Sequence, residues 1–98
     1  MTIDKKQNGT SLEVALQGRL DTPTAPELEA ELKKSMDGAE SLVLDFSKLE
    51  YISSAGLRVL LAAHKAMSRK GGMKVTHVNE IVQEVFEVTG FADILTIE

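Results

Sequence analysis

Segments with the two-residue period of a β-strand alternate with segments that have the period of an α-helix along most of this sequence. In the first clear strand pattern, Ser11 to Gly18, the residues Leu12, Val14 and Leu16 alternate with polar or small ones. The apolar run Ser41 to Phe46 is typical of a buried central strand. Strands that alternate with helices predict a largely parallel sheet, and right-handed connections place the helices on it. We therefore predict an α/β domain, a mixed β-sheet with helices packed mainly on one face.

Helix start and stop signals give the order β-β-α-β-α-β-α-β. In an alternative order, a further short strand follows the central one. Thr24 and Glu27 match a capping box, Asn79 matches an N-cap, and glycines follow each helix. The predicted helices cover residues 24–37, 54–70 and 79–89, and the predicted strands cover 2–7, 11–18, 41–46, 49–52, 73–78 and 93–97. The predicted core includes Leu44, Leu57, Leu60, Leu61, Val75, Val82 and Val85, and Ile81 and Phe86 also face inward.

The composition limits the classes of protein to which this chain can belong. Its 98 residues predict one compact domain, and its hydrophobic content of 43% is too high for a disordered chain. Cysteine is absent, which excludes disulfides and thiol chemistry. The net charge of -4, with basic residues spread along the chain, argues against a nucleic-acid partner. No apolar run reaches the roughly 20 residues of a membrane span, and the N-terminus lacks the apolar stretch of a signal peptide, so we expect a cytoplasmic protein without membrane insertion.

The junction Tyr51 to Leu61 places two serines where a strand pattern gives way to the longest helix pattern. The first turn of a helix has N–H groups without a partner in the helix, and these groups favour an anion. Ser53 or Ser54 therefore either caps this helix or offers a modifiable hydroxyl, because a phosphate of about -1.5 to -2 charges would be tolerated there. In the second interpretation, the small residues Ala55 and Gly56 leave room for the active site of another protein to approach.

The remaining residues do not indicate a catalytic or metal site. His64 follows Ser54 by ten residues on the same predicted helix, roughly 15 Å away, which is too far for a catalytic base. His77 is not accompanied by the nucleophile elbow of a hydrolase. We interpret His64 as a partly buried packing residue, and two histidines without a carboxylate cluster do not predict a metal site. We therefore expect that the chain is not an enzyme and needs no cofactor.

Two further groups of residues are candidates for a binding surface. Asp21 and Thr22 follow the first clear strand, so in a parallel sheet they would share one rim with Ser54, although Asp21 also suits a simple turn. The second group lies on one side of the long helix and is either a solvated face or a docking surface for an acidic partner. It consists of Arg58, Ala62, Lys65 and Arg69.

Several segments of the chain, with Gly71-Gly72 and Val88-Thr89-Gly90-Phe91 among them, together resemble the STAS-domain family, and most closely its single-domain anti-sigma factor antagonists. Gly18-Arg19-Leu20-Asp21 with Thr24-Ala25 resembles the family pattern Gly-x-Leu-Asp followed by Thr-Ala. Leu44-Asp45-Phe46-Ser47 with Leu49 and Tyr51-Ile52 resembles the central strand and the turn after it. Ser53-Ser54-Ala55-Gly56-Leu57 resembles the phosphorylation loop, which commonly reads Asp-Ser-Ser/Thr/Ala-Gly-Leu. The resemblance covers nearly the whole chain and implies a single STAS-like domain over residues 1–98.

The resemblance implies a regulatory cycle. The unphosphorylated protein binds an anti-sigma factor that is also a serine kinase, which frees a sigma factor; phosphorylation ends this binding, and a serine phosphatase restores it. The acceptor aligns with Ser54, and Ser53 stands where the family has Asp, which makes Ser53 the alternative acceptor. We expect a partner-binding surface that comprises Asp21, Thr22, Ser53, Ser54, Ala55, Gly56, Arg58 and Ala62.

Two other functions are compatible with the resemblance. STAS domains also act as non-phosphorylated scaffolds, for example as subunits that hold an ATPase in lipid-transport complexes. A small-ligand sensor is the third alternative.

Overall fold

In the computed structural model, which describes residues 1–98, five strands and three α-helices alternate after an initial hairpin. The strands are β1 (Thr2–Asn8), β2 (Ser11–Leu20), β3 (Ser41–Ile52), β4 (Met73–Thr76) and β5 (Thr96–Ile97). The helices are α1 (Ala25–Met36), α2 (Ser54–Met67) and α3 (Glu80–Thr89), and a short 3-10 helix covers Phe91–Asp93. This order confirms the predicted α/β class.

The five strands form one sheet in the order β1-β2-β3-β4-β5, so each strand pairs with its neighbour in sequence. β1 pairs with β2 antiparallel, and Gly9 adopts a φ of 61° in the tight turn between them. All other neighbours pair in parallel and are connected through a helix. The sheet is therefore mixed, as predicted, and the carboxyl ends of β2 and β3 lie at the same edge.

The buried side chains form one cluster between the sheet and the helices. In β2, Leu12, Val14 and Leu16 are buried, whereas Glu13 and Gln17 are exposed. The buried residues of all three helices belong to the same cluster as those of the strands. The helices therefore cover one face of the sheet and leave the other face to solvent, which confirms the predicted arrangement.

β3 is one continuous strand, although the sequence predicted a break after Phe46. Ala15 of β2 pairs with Asp45, but Gln17 pairs with Lys48, so β3 carries an extra residue between these pairs. A second irregularity lies further along the same two strands. These bulges interrupt the period of two in the buried side chains, which is why the pattern indicated two separate strand segments.

The carboxylate of Asp45 holds the first of these bulges. Its Oδ1 accepts a hydrogen bond from the backbone N–H of Ser47 at 2.9 Å and lies 3.2 Å from Nδ1 of His77. The Ser47 N–H lowers the pKa of Asp45 below its usual value, against the opposite effect of burial, and the Ser47 hydroxyl and His77 add to the lowering. Asp45 therefore stabilises the folded chain in its ionised form.

Several helix residues are placed differently from the prediction. Ile81 is 58% exposed instead of facing inward, and Leu61 and Val85 are only half-buried. Val59 and Ala63 belong to the core, although the pattern did not select them. Val59 and Ala63 are buried because α2 packs against α1 as well as against the sheet, which buries a second side of that helix.

Several element ends also differ from the prediction, among them the end of β2, which continues to Leu20 and does not stop at residue 18. α2 ends at Met67 and not at residue 70, and β4 ends at Thr76, where His77 takes a positive φ of 58°. The last strand begins at Thr96 and not at residue 93, because the chain first forms the 3-10 helix Phe91–Asp93 after the left-handed Gly90. The end of β4 and the late start of the last strand lie next to single residues with a left-handed backbone, His77 and Gly90, which periodicity does not report.

Five of the predicted core residues are confirmed as buried: Leu44, Leu57, Leu60, Val75 and Val82. We expect Leu60→Ala to lower the free energy of unfolding by about 2–5 kcal/mol, because it opens a cavity in a close-packed core. Leu61→Ala removes the same atoms from a half-buried site one residue along and should cost less. Urea denaturation of both variants tests this, and equal losses would contradict the burial pattern.

Asp45 predicts a pH dependence of stability. A carboxyl whose pKa is lowered in the folded state contributes stability at neutral pH, and this contribution is lost as the pH falls through the folded-state pKa. We therefore expect Asp45→Asn to unfold at lower urea concentration than the unsubstituted protein at pH 7, with the difference shrinking in the acid range. Denaturation curves at several pH values check this, and a difference that is the same at every pH would mean that the charge of Asp45 is not involved.

Candidate functional site

The ends of β2 and β3 meet at one rim of the sheet. Leu20 pairs with Ile52, and the backbone N–H of Ser53 donates to the carbonyl of Leu20 at 2.9 Å. The turn that begins with Asp21 therefore lies beside the start of α2. Asp21 and Ser54 share a rim, as the parallel order predicted.

Ser54 is the first residue of α2, and its side chain is exposed. The first hydrogen bond along the helix runs from the N–H of Leu57 to the carbonyl of Ser53 at 2.9 Å, so the N–H groups before it have no partner in the helix. The first turn of α2 carries no acidic residue. An anionic group on the Ser54 oxygen would thus face free N–H dipoles without a carboxylate in the same turn.

Ser53 is the N-cap residue, but its side chain does not cap the helix. Its backbone is extended, with a φ of -103° and a ψ of 177°, and its Oγ is buried without a hydrogen-bond partner. The two serines therefore present opposite environments: the hydroxyl of Ser54 is on the surface, whereas that of Ser53 is not. The interpretation that one of these serines caps α2 through its side chain is therefore wrong.

Gly56 lies inside the molecule, not at the surface where the sequence interpretation placed it. A Cβ atom at this position would lie 2.7 Å from Cγ of Leu20 and 2.9 Å from Cγ1 of Ile52. Only a glycine lets the first turn of α2 pack this closely on the ends of the two strands. Gly56 therefore positions the site and is not available for contact with a partner, in contrast to the half-buried Ala55.

The turn after β2 is held by Thr24 and not by a capping box. Oγ1 of Thr24 accepts from the N–H of Asp21 at 2.8 Å and lies 2.8 Å from the carbonyl oxygen of Arg19 and 3.0 Å from Oδ1 of Asp21. Because the Thr24 side chain points back towards β2, it does not reach the N–H groups of α1, and the predicted box with Glu27 is wrong. The guanidinium of Arg19 lies 3.5 Å from Asp21 and 4.6 Å from the ring centre of Tyr51, which further restrains the rim.

A groove runs from this rim between α1 and α2, here called the α1–α2 groove. Its upper part has a volume of about 280 Å³ and its lower part about 180 Å³. The two parts share Glu29 and Val59. The upper part is lined also by Thr22, Ala25, Pro26, Ala55 and Arg58, and the lower part by Leu32, Lys33, Met36, Ala62, Ala63 and Ala66.

Of the residues predicted to bind a partner, some line this groove and the others lie outside it. Thr22, Ala55, Arg58 and Ala62 line it, and Arg58 is exposed and forms no ion pair. Sequence patterns did not indicate Pro26, Glu29 or Val59 as part of this surface, because Pro26 and Glu29 lie on α1, distant in sequence, and Val59 was on neither of the two faces assigned to α2. These three residues belong to the surface only because α1 packs on α2.

The structure contains no catalytic or metal-binding arrangement around Ser54. His64 is half-buried on α2 with Nδ1 lacking a partner, and His77 contacts Asp45 and Thr76. No group of three or more His, Cys, Asp or Glu residues could hold a metal ion. None of the helices combines the length and the apolar character that crossing a bilayer would need.

Comparison with known proteins assigns the fold and the family. The sequence profile described as "Mlab, STAS domain" matches residues 3–96. The chain belongs to the STAS domain family. Its sequence is 39% identical over 99 residues to BtrV of Bordetella bronchiseptica, a protein assigned as an anti-sigma factor antagonist, and the match covers 99% of this chain and 84% of that protein.

Solved structures of STAS domains superpose closely on this one. An anti-sigma factor antagonist from Mycobacterium paratuberculosis has a TM-score of 0.88 at 25% identity, over 98% of this chain and 83% of that chain. The anti-sigma factor antagonist SpoIIAA in its unphosphorylated form shares the fold at 13% identity, with a TM-score of 0.77 over 99% of this chain and 87% of that chain. The phosphorylated form of SpoIIAA gives a TM-score of 0.76 at 14% identity, over 99% of this chain and 91% of that chain. Anti-sigma factor antagonists are non-enzymatic regulators, in agreement with the sequence prediction.

The close packing at Gly56 gives a stability prediction for this STAS domain. Gly56→Ala should lower the free energy of unfolding by about 1–3 kcal/mol, because the new Cβ overlaps Leu20 and Ile52. Gly38→Ala is the matched control: its Cβ would meet nothing within 4 Å, and such a change leaves stability unchanged or raises it by about 0.4–1 kcal/mol. Thermal unfolding of both variants checks this, and a neutral Gly56→Ala would show that α2 can shift freely on the rim.

Proposed function

We propose that this STAS domain is an anti-sigma factor antagonist that is switched by phosphorylation of Ser54. In the unphosphorylated state it binds an anti-sigma factor with serine kinase activity and so frees a sigma factor; a separate serine phosphatase reverses the modification. The observation that carries the proposal is an exposed serine at the free N-terminus of α2, beside an open groove. We further propose that the protein acts in the cytoplasm.

The relatives support the class of function. BtrV is assigned as an anti-sigma factor antagonist, the mycobacterial protein is named as one, and SpoIIAA has been solved with and without its phosphate. This chain shares its fold with SpoIIAA in both forms, with TM-scores of 0.77 and 0.76, and Ser54 is exposed on that fold. The mechanism then acts at the surface of the domain and not through its core.

The environments of the two serines favour Ser54 as the acceptor. A kinase must bring the γ-phosphate of ATP in line with the acceptor oxygen, which requires the hydroxyl to be accessible. The Oγ of Ser53 is buried, and a phosphate there would displace packed atoms. Ser54 meets the steric requirement, and Ala55 beside it is small.

The phosphate would act on a surface that already carries charge. Ser54 and Arg58 are one helical turn apart on α2, a spacing at which opposite charges interact. Arg58 has no ion pair within the chain, so it is free to contact an acidic group of a partner. A phosphate of about -1.5 to -2 charges on Ser54 would compete for Arg58 and repel that acidic group. Both effects weaken the complex without unfolding the domain.

We expect phosphorylation by the anti-sigma factor kinase of the same organism to map to Ser54. Ser54→Ala should abolish phosphate incorporation, whereas Ser53→Ala should retain it. Mass spectrometry of tryptic peptides after incubation with kinase and ATP provides the measurement. Circular dichroism of both variants shows whether a loss of signal is a loss of fold, and phosphate found on Ser53 alone would reverse the assignment.

Binding to the unmodified domain should depend on charge at the same rim. We expect Ser54→Asp and Arg58→Glu each to weaken binding of the anti-sigma factor by tenfold or more, about 1.4 kcal/mol, whereas Ser54→Ala should bind like the unsubstituted protein. Arg69→Glu makes the same charge reversal at an exposed residue outside the groove and is the control. Isothermal titration calorimetry measures all four variants. If Ser54→Asp binds with full affinity, a constitutive scaffold becomes the better explanation.

A further inference from the structure

The exposed large apolar side chains of this domain are confined to its C-terminal part. They are Ile81, 58% exposed, Val88, 77% exposed, and Ile94, 45% exposed. The outward positions of α1 and α2 carry charged residues and alanines instead. Exposed apolar side chains that lie side by side, and are not scattered singly, are candidates for a contact surface.

Two of these residues lie on one side of α3. Ile81, the half-buried Val85 and Val88 follow the spacing i, i+4, i+7, which aligns them along the helix. We call these three residues the α3 stripe. Val82 and Phe86 anchor the opposite flank of α3 in the core, and Asn79 fixes its start by accepting from the N–H of Val82 at 2.8 Å. The core thus holds α3 in place and leaves Ile81 and Val88 at the surface, while Val85 between them also packs partly against the core.

The α3 stripe is bordered by carboxylates. Glu80, Glu84 and Glu87 are exposed, and at 100° per residue they lie on the solvent side of the stripe. None of the three forms an ion pair. From Val75 to Glu98 the chain has five carboxylate side chains and neither Lys nor Arg, although 11 Lys and Arg residues precede this segment. The C-terminal part of the chain is therefore strongly acidic, and three of its carboxylates lie along one side of the stripe.

We propose that the α3 stripe is a docking surface for a basic amphipathic helix of a partner protein. Apolar side chains of that helix would pack on Ile81, Val85 and Val88, and its Lys or Arg side chains would pair with the free glutamates. A second copy of this chain is a poor occupant, because it would bring the same three glutamates against each other. None of the stripe residues lines the α1–α2 groove, so this contact is separate from the one proposed at Ser54.

The test uses a designed helical peptide with leucines along one face and lysines beside them, and a second peptide with glutamates in place of the lysines. Fluorescence anisotropy gives the affinity, and amide chemical shifts of the 15N-labelled domain give the location. We expect the basic peptide to bind about tenfold or more tightly than the acidic one and to shift the resonances of α3. Added salt should weaken the binding.

Substitutions test whether the peptide binds at the stripe itself or responds only to the overall negative charge of the domain. Val88→Ser and Glu84→Gln should each weaken binding of the basic peptide several-fold. Both substitutions change exposed residues, so circular dichroism should show that the fold persists. Glu50→Gln removes an exposed, unpaired carboxylate elsewhere and should leave the affinity unchanged. Equal effects of Glu50→Gln and Glu84→Gln, or shifts centred on α2, would overturn the proposal. A dimer of the free protein that Val88→Ser dissociates in sedimentation equilibrium would also overturn it, because a second copy would then cover the stripe.

Discussion

The parallel pairing of β2 with β3 is the interaction on which the rest of this STAS domain depends. It continues from Ser11 to Leu20 through two bulges and ends where the N–H of Ser53 meets the carbonyl of Leu20. Both strands must reach the same edge for the turn at Asp21 and the start of α2 to become neighbours. The bulges adjust the register, so that Leu49 and Ile52 return to the core face after the extra residue in β3. The position of Ser54 is therefore a consequence of sheet register.

Tight packing at the rim fixes some groups in the interior and leaves others accessible to solvent. Gly56 seats α2 against Leu20 and Ile52, and the side chain of Ser53 is enclosed beside it, so the backbone of this turn has little freedom to move. Ser54 stands outside this packed region on a helix end with free N–H groups. A charge added at that oxygen changes the surface potential locally. Such a change can control binding at little cost in folding free energy, because no tertiary contact has to break. The α3 stripe and the unpaired glutamates beside it form the second proposed surface, with the opposite charge preference.

Much of the fold could be predicted from the sequence because local signals agreed with the tertiary arrangement. The alternation in β2 and the cap at Asn79 are local features, and the structure has both. The prediction was wrong where a distant contact determined the local conformation. The bulges of β3 depend on its pairing with β2, Thr24 turns back to the chain end of β2, and Val59 is buried because α1 lies across it. Periodicity within one segment cannot report a contact with another.

For the candidate site, the sequence by itself determined the chemistry, and the tertiary structure decided the geometry. The residue types in the Ser53-Ser54-Ala55-Gly56 segment, the absence of cysteine and the lack of a base or ligand cluster already pointed to a modifiable surface and not to a catalyst. Which serine is accessible, why Gly56 is required and which residues of α1 complete the groove depend on how helices and strands from different parts of the chain pack together. Side-chain exposure is a property of that packing, because a hydroxyl is buried or free only in relation to neighbours that are distant in sequence.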